Sequence, residues 1–321
     1  MRNRHACLFA LLISVAAVGR ADQVDDFSSR QMERNHIPGM TIAVIKDGKV
    51  VKIAGYGTAN LDWDSPVTTD TEFQVASTTK AFTGMLLMKL VEDGKIKLDD
   101  SVLTFLPQAP GTWQKVTDRM LATHSSGFKF DLGPGKMFKS VDEAVAEAYK
   151  LPLDYEPGTE SHYGLTDFVV LMKVLETAGG QRYEALLEER IVAALGLENT
   201  RFDGMNDEGP ARNWRPMKRR STTYEWTGKS QQAYAFFYPG WTYSAGGLFS
   251  SAADMARVLL AIDSGKFLKP ESLNSMWTPI ELANGSRVTS ALVGRRTNSA
   301  DCESLGTAVA QRFRTSPTFQ S

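Results

Sequence analysis

Apolar and polar positions along the chain follow two rhythms. In residues 38–56, β-branched side chains crowd two short runs, 40–45 and 49–54, with Asp47-Gly48 between them. That pattern predicts a β-hairpin closed by an Asp-Gly turn. Over 81–91 the period lengthens: Phe82, Met85, Leu86 and Leu90 recur at helical spacing, and Gly94 follows as a stop signal. The same period predicts helices over 116–123, from Ser140 with Glu143 completing a capping box, over 166–178 closed by Gly179-Gly180, and over 183–194 closed near Gly196. It also predicts helices over 251–262, ended by Gly265, and over 270–277. Residues 241–249, with Gly246-Gly247 inside, read as a strand entering a tight turn. Periodicity fades over 201–238, and after about Ala283 no alternating run is long enough to predict a strand.

The N-terminus differs in kind. Arg2 and Arg4 precede an apolar run over 6–18 and small residues ending at Ala21, the layout of a cleavable export signal over residues 1–21. The run is too short to span a bilayer comfortably, so no stable membrane span is expected after cleavage. Removal takes away three arginines and no acid, leaving 33 of 36 basic residues against 37 acidic ones. A mildly acidic chain does not call for nucleic acid, and the basic and aromatic stretch over 212–226 reads instead as a solvated loop over a pocket. A secreted or periplasmic location follows. Cys7 leaves with the signal, so Cys302 is alone and packing must supply stability. His36, His124 and His162 show no metal-ligand spacing, and His124, beside Ser125-Ser126-Gly127, reads as a residue that caps its loop. The hydrophobic content of 42% supports a large core.

The chemistry concentrates at Ser77-Thr78-Thr79-Lys80, where the apolar approach over 73–76 meets the helical run. On a helix beginning at Ser77, Lys80 lies one turn along the same face. A serine hydroxyl is a weak nucleophile that needs a base, and a desolvated lysine has its pKa pushed toward that role. A second S-x-x-K, Ser126-Gly127-Phe128-Lys129, contains a helix-interrupting glycine and reads as loop.

Several ordered segments then carry a resemblance over residues 38–279. They are the 40–56 hairpin, Phe73-Gln74-Val75-Ala76-Ser77-Thr78-Thr79-Lys80, Leu121-Ala122-Thr123-His124-Ser125-Ser126-Gly127, Pro157-Gly158-Thr159 before Tyr163, Ala194-Leu195-Gly196-Leu197-Glu198-Asn199-Thr200, and Ser244-Ala245-Gly246-Gly247-Leu248-Phe249-Ser250. Together they resemble the serine β-lactamase and penicillin-binding-protein superfamily, in particular its class C-like branch, which also holds esterases and D-amino-acid peptidases. The resemblance implies an α+β fold of β-lactamase/transpeptidase type: an antiparallel sheet flanked by helices, a mostly helical part over 78–204, and the site in the cleft between. It implies Ser77 as the acylated nucleophile, Lys80 as its partner and Tyr163 as base or proton relay, acting on an ester, a β-lactam or a D-amino-acid peptide with no cofactor.

Two departures qualify the resemblance. The family's Tyr-x-Asn reads Tyr163-Gly164-Leu165, and leucine cannot hydrogen-bond a substrate amide, which weakens amide and β-lactam recognition more than ester chemistry. The third motif, Lys-Thr-Gly or His-Ser-Gly on a strand lending an oxyanion donor, is absent after Trp277. The expected organisation is a signal over 1–21, a hydrolase domain over 22–282 and an atypical tail over 283–321, read either as a flexible tail or, in preference, as an altered or shifted reading frame in place of the last strands. A non-catalytic binding relative, or a degenerate product, is the competing reading.

Overall fold

The computed structural model describes residues 22–204 and 214–288. The predicted signal with His5 and Cys7, residues 205–213 of the aperiodic stretch, and residues 289–321 with Cys302 lie outside the described residues. The chain divides into two compact units at Ile37 and Pro38. The first contains α1 (Gln23–Arg34), started by Asp22, whose carboxylate accepts the N–H groups of Val24 and Asp25 while Asp25 returns a bond to the Asp22 N–H. Such reciprocal capping satisfies donors that no helical carbonyl can reach.

In the second unit the hairpin forms as the pattern predicts. β1 (Gly39–Lys46) pairs with β2 (Lys49–Asn60), and the turn places Asp47 and Gly48 at φ values of +50° and +70°. Both central residues are left-handed, as a two-residue turn matching strand twist requires. Along the chain follow β3 (Ser65–Pro66), β4 (Phe73–Gln74), α2 (Thr79–Glu92), α3 (Asp118–Ala122), α4 (Val141–Ala148), α5 (Thr166–Gly179) and α6 (Tyr183–Leu187). α6 runs on into a π-helical turn, Glu188–Ala193. Then come β5 (Arg201–Phe202), β6 (Thr223–Trp226), β7 (Gln231–Tyr234), β8 (Leu248–Ser250), α7 (Ala252–Asp263), α8 (Pro270–Trp277), β9 (Ile280–Glu281) and β10 (Arg287–Val288).

The strands make small antiparallel sheets ordered β1-β2-β3, β4-β8-β5, β6-β7 and β9-β10, and α7 packs on β1 and β2. This is a mixed α+β fold, with α2 to α6 inside the predicted helical part. α2 and α5 form its centre: Phe82, Met85, Leu86 and Leu90 of one pack with Phe168, Val169, Leu171 and Leu175 of the other in a single buried cluster. Each such side chain contributes about 1.5–3 kcal/mol relative to exposure. No helix among the described residues is long and apolar enough to cross a membrane.

Three segments differ from the sequence pattern. Residues 241–249 are mainly a 3-10 turn, Gly240–Thr242, and a tight bend, with strand only from Leu248. The stretch over 201–238 contains the β6-β7 hairpin, and two of its arginines also reach inward: Arg219 donates to Asn199 Oδ1 at 2.6 Å, and Arg220 lies 3.5 Å from Asp203 and over the Phe249 ring. The β9-β10 ribbon extends past Ala283, whose N–H donates to the Gly158 carbonyl at 2.9 Å.

Candidate active site

The β4-β8 pairing delivers the chain to Ser77. After Gln74 and Val75 the backbone enters a 3-10 turn, Ala76–Thr78, and α2 begins at Thr79, so the serine sits in a tighter turn than the helix start expected for it. Ala76 takes φ +46°, a left-handed conformation that costs a non-glycine residue energy and persists where its surroundings enforce it. Thr79 supplies that constraint. Its hydroxyl donates to the Ala76 carbonyl at 2.6 Å and accepts the Leu248 N–H of β8 at 3.2 Å. Ser77 is thereby exposed while Lys80, one turn on, is only 5% exposed.

Lys80 Nζ donates to Ser77 Oγ at 3.4 Å and to the Ala245 carbonyl at 2.7 Å. It also lies 4.9 Å from the Tyr163 ring centre and 5.1 Å from that of Phe168. Burial pushes the lysine pKa below its ordinary value; the Tyr163 hydroxyl and the Asp167 carboxylate oppose the shift without cancelling it. Tyr163 donates its hydroxyl proton to Ser77 Oγ at 2.8 Å. At 53% exposure it is not a buried aromatic with an internally satisfied hydroxyl. The three side chains singled out in the sequence therefore meet at one oxygen. Leu165 packs its side chain against the core and donates its N–H to the Phe130 carbonyl at 2.7 Å.

Beneath Tyr163 is a polar cluster the sequence did not reveal. His124, 3% exposed and at φ +57°, has Nδ1 2.9 Å from Asp167 Oδ2, and Ser126 Oγ donates to the other Asp167 oxygen. Burial raises the Asp167 pKa, offset in part by His124 and Ser126. The second S-x-x-K is a loop, as expected: Ser126 serves Asp167, and Lys129 pairs with Asp154. The Ser125-Ser126-Gly127 turn was visible in the sequence, but nothing local connects Ser126 to an aspartate 41 positions on. Among the described residues no three His, Cys, Asp or Glu side chains gather as metal ligands.

An exposed serine hydroxyl, contacted by a phenol and by a buried amine of lowered pKa, is arranged for nucleophilic attack with proton transfer. The Beta-lactamase family profile matches residues 24–298. The chain is 26% identical over 192 residues to Protein flp of Staphylococcus aureus, covering 57% of this chain and 39% of that protein. It is 28% identical over 239 residues to the teichoic acid D-alanine hydrolase of Staphylococcus aureus, covering 74% of this chain and 57% of the relative. It thus spans between about two fifths and three fifths of these relatives' length. Among solved structures, an octameric penicillin-binding protein homologue from Pyrococcus abyssi superposes with a TM-score of 0.70 at 27% identity, over 84% of this chain and 63% of that one. FmtA from Staphylococcus aureus superposes with a TM-score of 0.67 at 25% identity, over 78% of this chain and 69% of its own.

Proposed function

The chain belongs to the Beta-lactamase family, and on that premise we propose that it is an exported serine hydrolase working through an acyl-serine at Ser77. The observation that carries this reading is the convergence of Tyr163 and Lys80 on the Ser77 oxygen. Ser77 Oγ attacks the substrate carbonyl carbon, and its proton passes to Tyr163, the nearer partner, and on to Lys80 in its neutral form. The proton then goes to the departing alcohol, and a water activated by the same pair releases the acyl group. The Ser77 N–H, within the 3-10 turn Ala76–Thr78, is one donor for the oxyanion.

Leu165 supports an ester over an amide, because no side-chain amide stands at that position to bond a substrate N–H. The relative named for teichoic acid D-alanine supports a D-alanyl group as the acyl portion. A signal over residues 1–21 and a secreted or periplasmic location suit such a substrate. The competing reading, a binding relative without turnover, also rests on Leu165.

Labelling with a fluorophosphonate, located by mass spectrometry, tests the assignment: the adduct is expected on Ser77, and folded protein unlabelled there would sink it. Nitrophenyl-ester hydrolysis is expected to fall on the order of a thousandfold or more in Ser77→Ala, and about 10²- to 10⁴-fold in Tyr163→Phe. Since Lys80 must be neutral to accept the proton, the rate is expected to rise with pH through a midpoint below that of an ordinary lysine. A flat profile would remove Lys80 from the base role.

A further inference from the structure

We infer that His124 is a positioning residue for Tyr163, holding the phenol against Ser77 through its backbone and its ring at once; this rests on the acyl-serine reading above. The residues on either side of Tyr163 are both tied to His124. The His162 N–H donates to the His124 carbonyl at 2.9 Å, and the Gly164 N–H approaches His124 Nδ1 at 3.3 Å, a contact that is a hydrogen bond in the tautomer whose Nδ1 carries no proton. Between those ties the imidazole packs on the phenol itself, ring centres 4.6 Å apart and inclined by 52°. Its other neighbour is Phe168, at 5.2 Å.

The left-handed backbone of His124 makes this possible. At φ +57° the carbonyl and the side chain of one residue reach the same passing segment, and a non-glycine in that region signals an enforced local geometry. The histidine is itself fixed from behind. Asp167 holds Nδ1 at 2.9 Å, Ser126 bonds the far side of that carboxylate and also accepts the Phe128 N–H at 3.0 Å, and the Tyr155 hydroxyl donates to the His124 carbonyl at 3.1 Å. Tyr163 needs such support. It is exposed, its hydroxyl meets Ser77 and Lys80, and a phenol freed to rotate would leave both. Among the described residues His124 makes no hydrogen bond to Ser77 or Lys80; its direct contact with the reacting groups is the Tyr163 ring, while Asp167 and Phe168 stand between it and Lys80.

The discriminating experiment is a double-mutant cycle of His124→Asn with Tyr163→Phe, read by nitrophenyl-ester hydrolysis. Asparagine tolerates the left-handed backbone and keeps a polar atom near the Nδ1 position, but lacks the outer ring. With Tyr163 present, His124→Asn is expected to lower kcat roughly 10- to 100-fold, the scale of a displaced reacting group, while KM changes little. With Tyr163→Phe already in place, the same substitution is expected to cost less than about threefold, because the two act as one unit. Equal losses in both backgrounds would overturn the proposal. A second readout does not require turnover: the Tyr163 ring resonance in 13C-tyrosine-labelled protein is expected to shift and broaden in His124→Asn. An unchanged resonance would also overturn it, even if the chain hydrolyses no ester. Should His124→Asn fail to fold, Asp167→Asn, which keeps the side-chain volume and the imidazole but weakens its fixing, is read by the same resonance with the same two outcomes.

Discussion

At the scale of single residues, one buried acid falls outside the site and makes a separate demand on the fold. Asp118, at the first position of α3, is 0% exposed, and neither carboxylate oxygen meets a protein donor among the described residues. Burial, with a smaller push from Asp100, raises its pKa to about 8. Its unfolded value is that of an ordinary carboxyl near 4, so between those limits the folded chain holds one proton more than the unfolded chain. This group's contribution is complete below pH 4 and is lost as pH rises toward 8, by about 1.4 kcal/mol per pH unit across the window. Asp118→Asn abolishes the dependence, so its stability relative to the parent is expected to rise with pH between about 5 and 7.5 in urea titrations. Parallel stability curves for the two proteins would show that Asp118 is solvated or paired.

At the scale of elements, sequence legibility tracked how local each element's causes are. α7 and α8 were readable because their signals lie within the element: Ser251 accepts the Asp254 N–H at 3.2 Å, and Pro270 fills the first position of α8. The β1-β2 turn was readable for the same reason. β4 and β5 were not, and β8 was only partly placed within the strand read over 241–249, since strands of two or three residues contain too little sequence to show a period and exist through partners far along the chain, such as Gln74 with Phe249. The loop carrying His124 also depends on a distant partner. Gly127 adopts φ +86°, and a Cβ there would stand 2.2 Å from the Tyr155 carbonyl oxygen. Because Tyr155 in turn bonds His124, Gly127→Ala is expected to strain the whole crossing. The left-handed penalty alone is about 1–2 kcal/mol, and the backbone clash adds to it. A fall in denaturation midpoint together with slower Ser77 labelling is the expected result; a stability change with labelling untouched would separate this loop from the site.

At the scale of the whole molecule, the residue types of the site were legible and its architecture was not. Ser77, Lys80 and Tyr163 could be chosen from spacing and resemblance, but the Ala245 carbonyl that holds Lys80 comes from 165 positions away and is backbone, which no side-chain pattern marks. That carbonyl belongs to a segment clamped onto the helical part by a buried network. Thr83 Oγ1, on α2 one turn beyond Lys80, donates to the Ser244 carbonyl at 2.6 Å and shares a 2.7 Å bond with the Tyr183 hydroxyl of α6. The Ser244 hydroxyl donates to the Phe168 carbonyl of α5 at 2.7 Å. Three helices thus fix residues 244 and 245, and Lys80 depends on them for its principal acceptor. Thr83→Val keeps the shape and removes the hydroxyl, stranding the Ser244 carbonyl and the Tyr183 hydroxyl in the interior at a cost of about 1–3 kcal/mol. If the clamp also sets the lysine, the variant at a temperature where it is fully folded should show a lower ester-hydrolysis rate and a displaced midpoint in its pH profile, because Lys80 would be differently desolvated. A destabilised variant with an unaltered rate and pH midpoint would make the clamp purely structural and leave α2 alone responsible for the lysine's position.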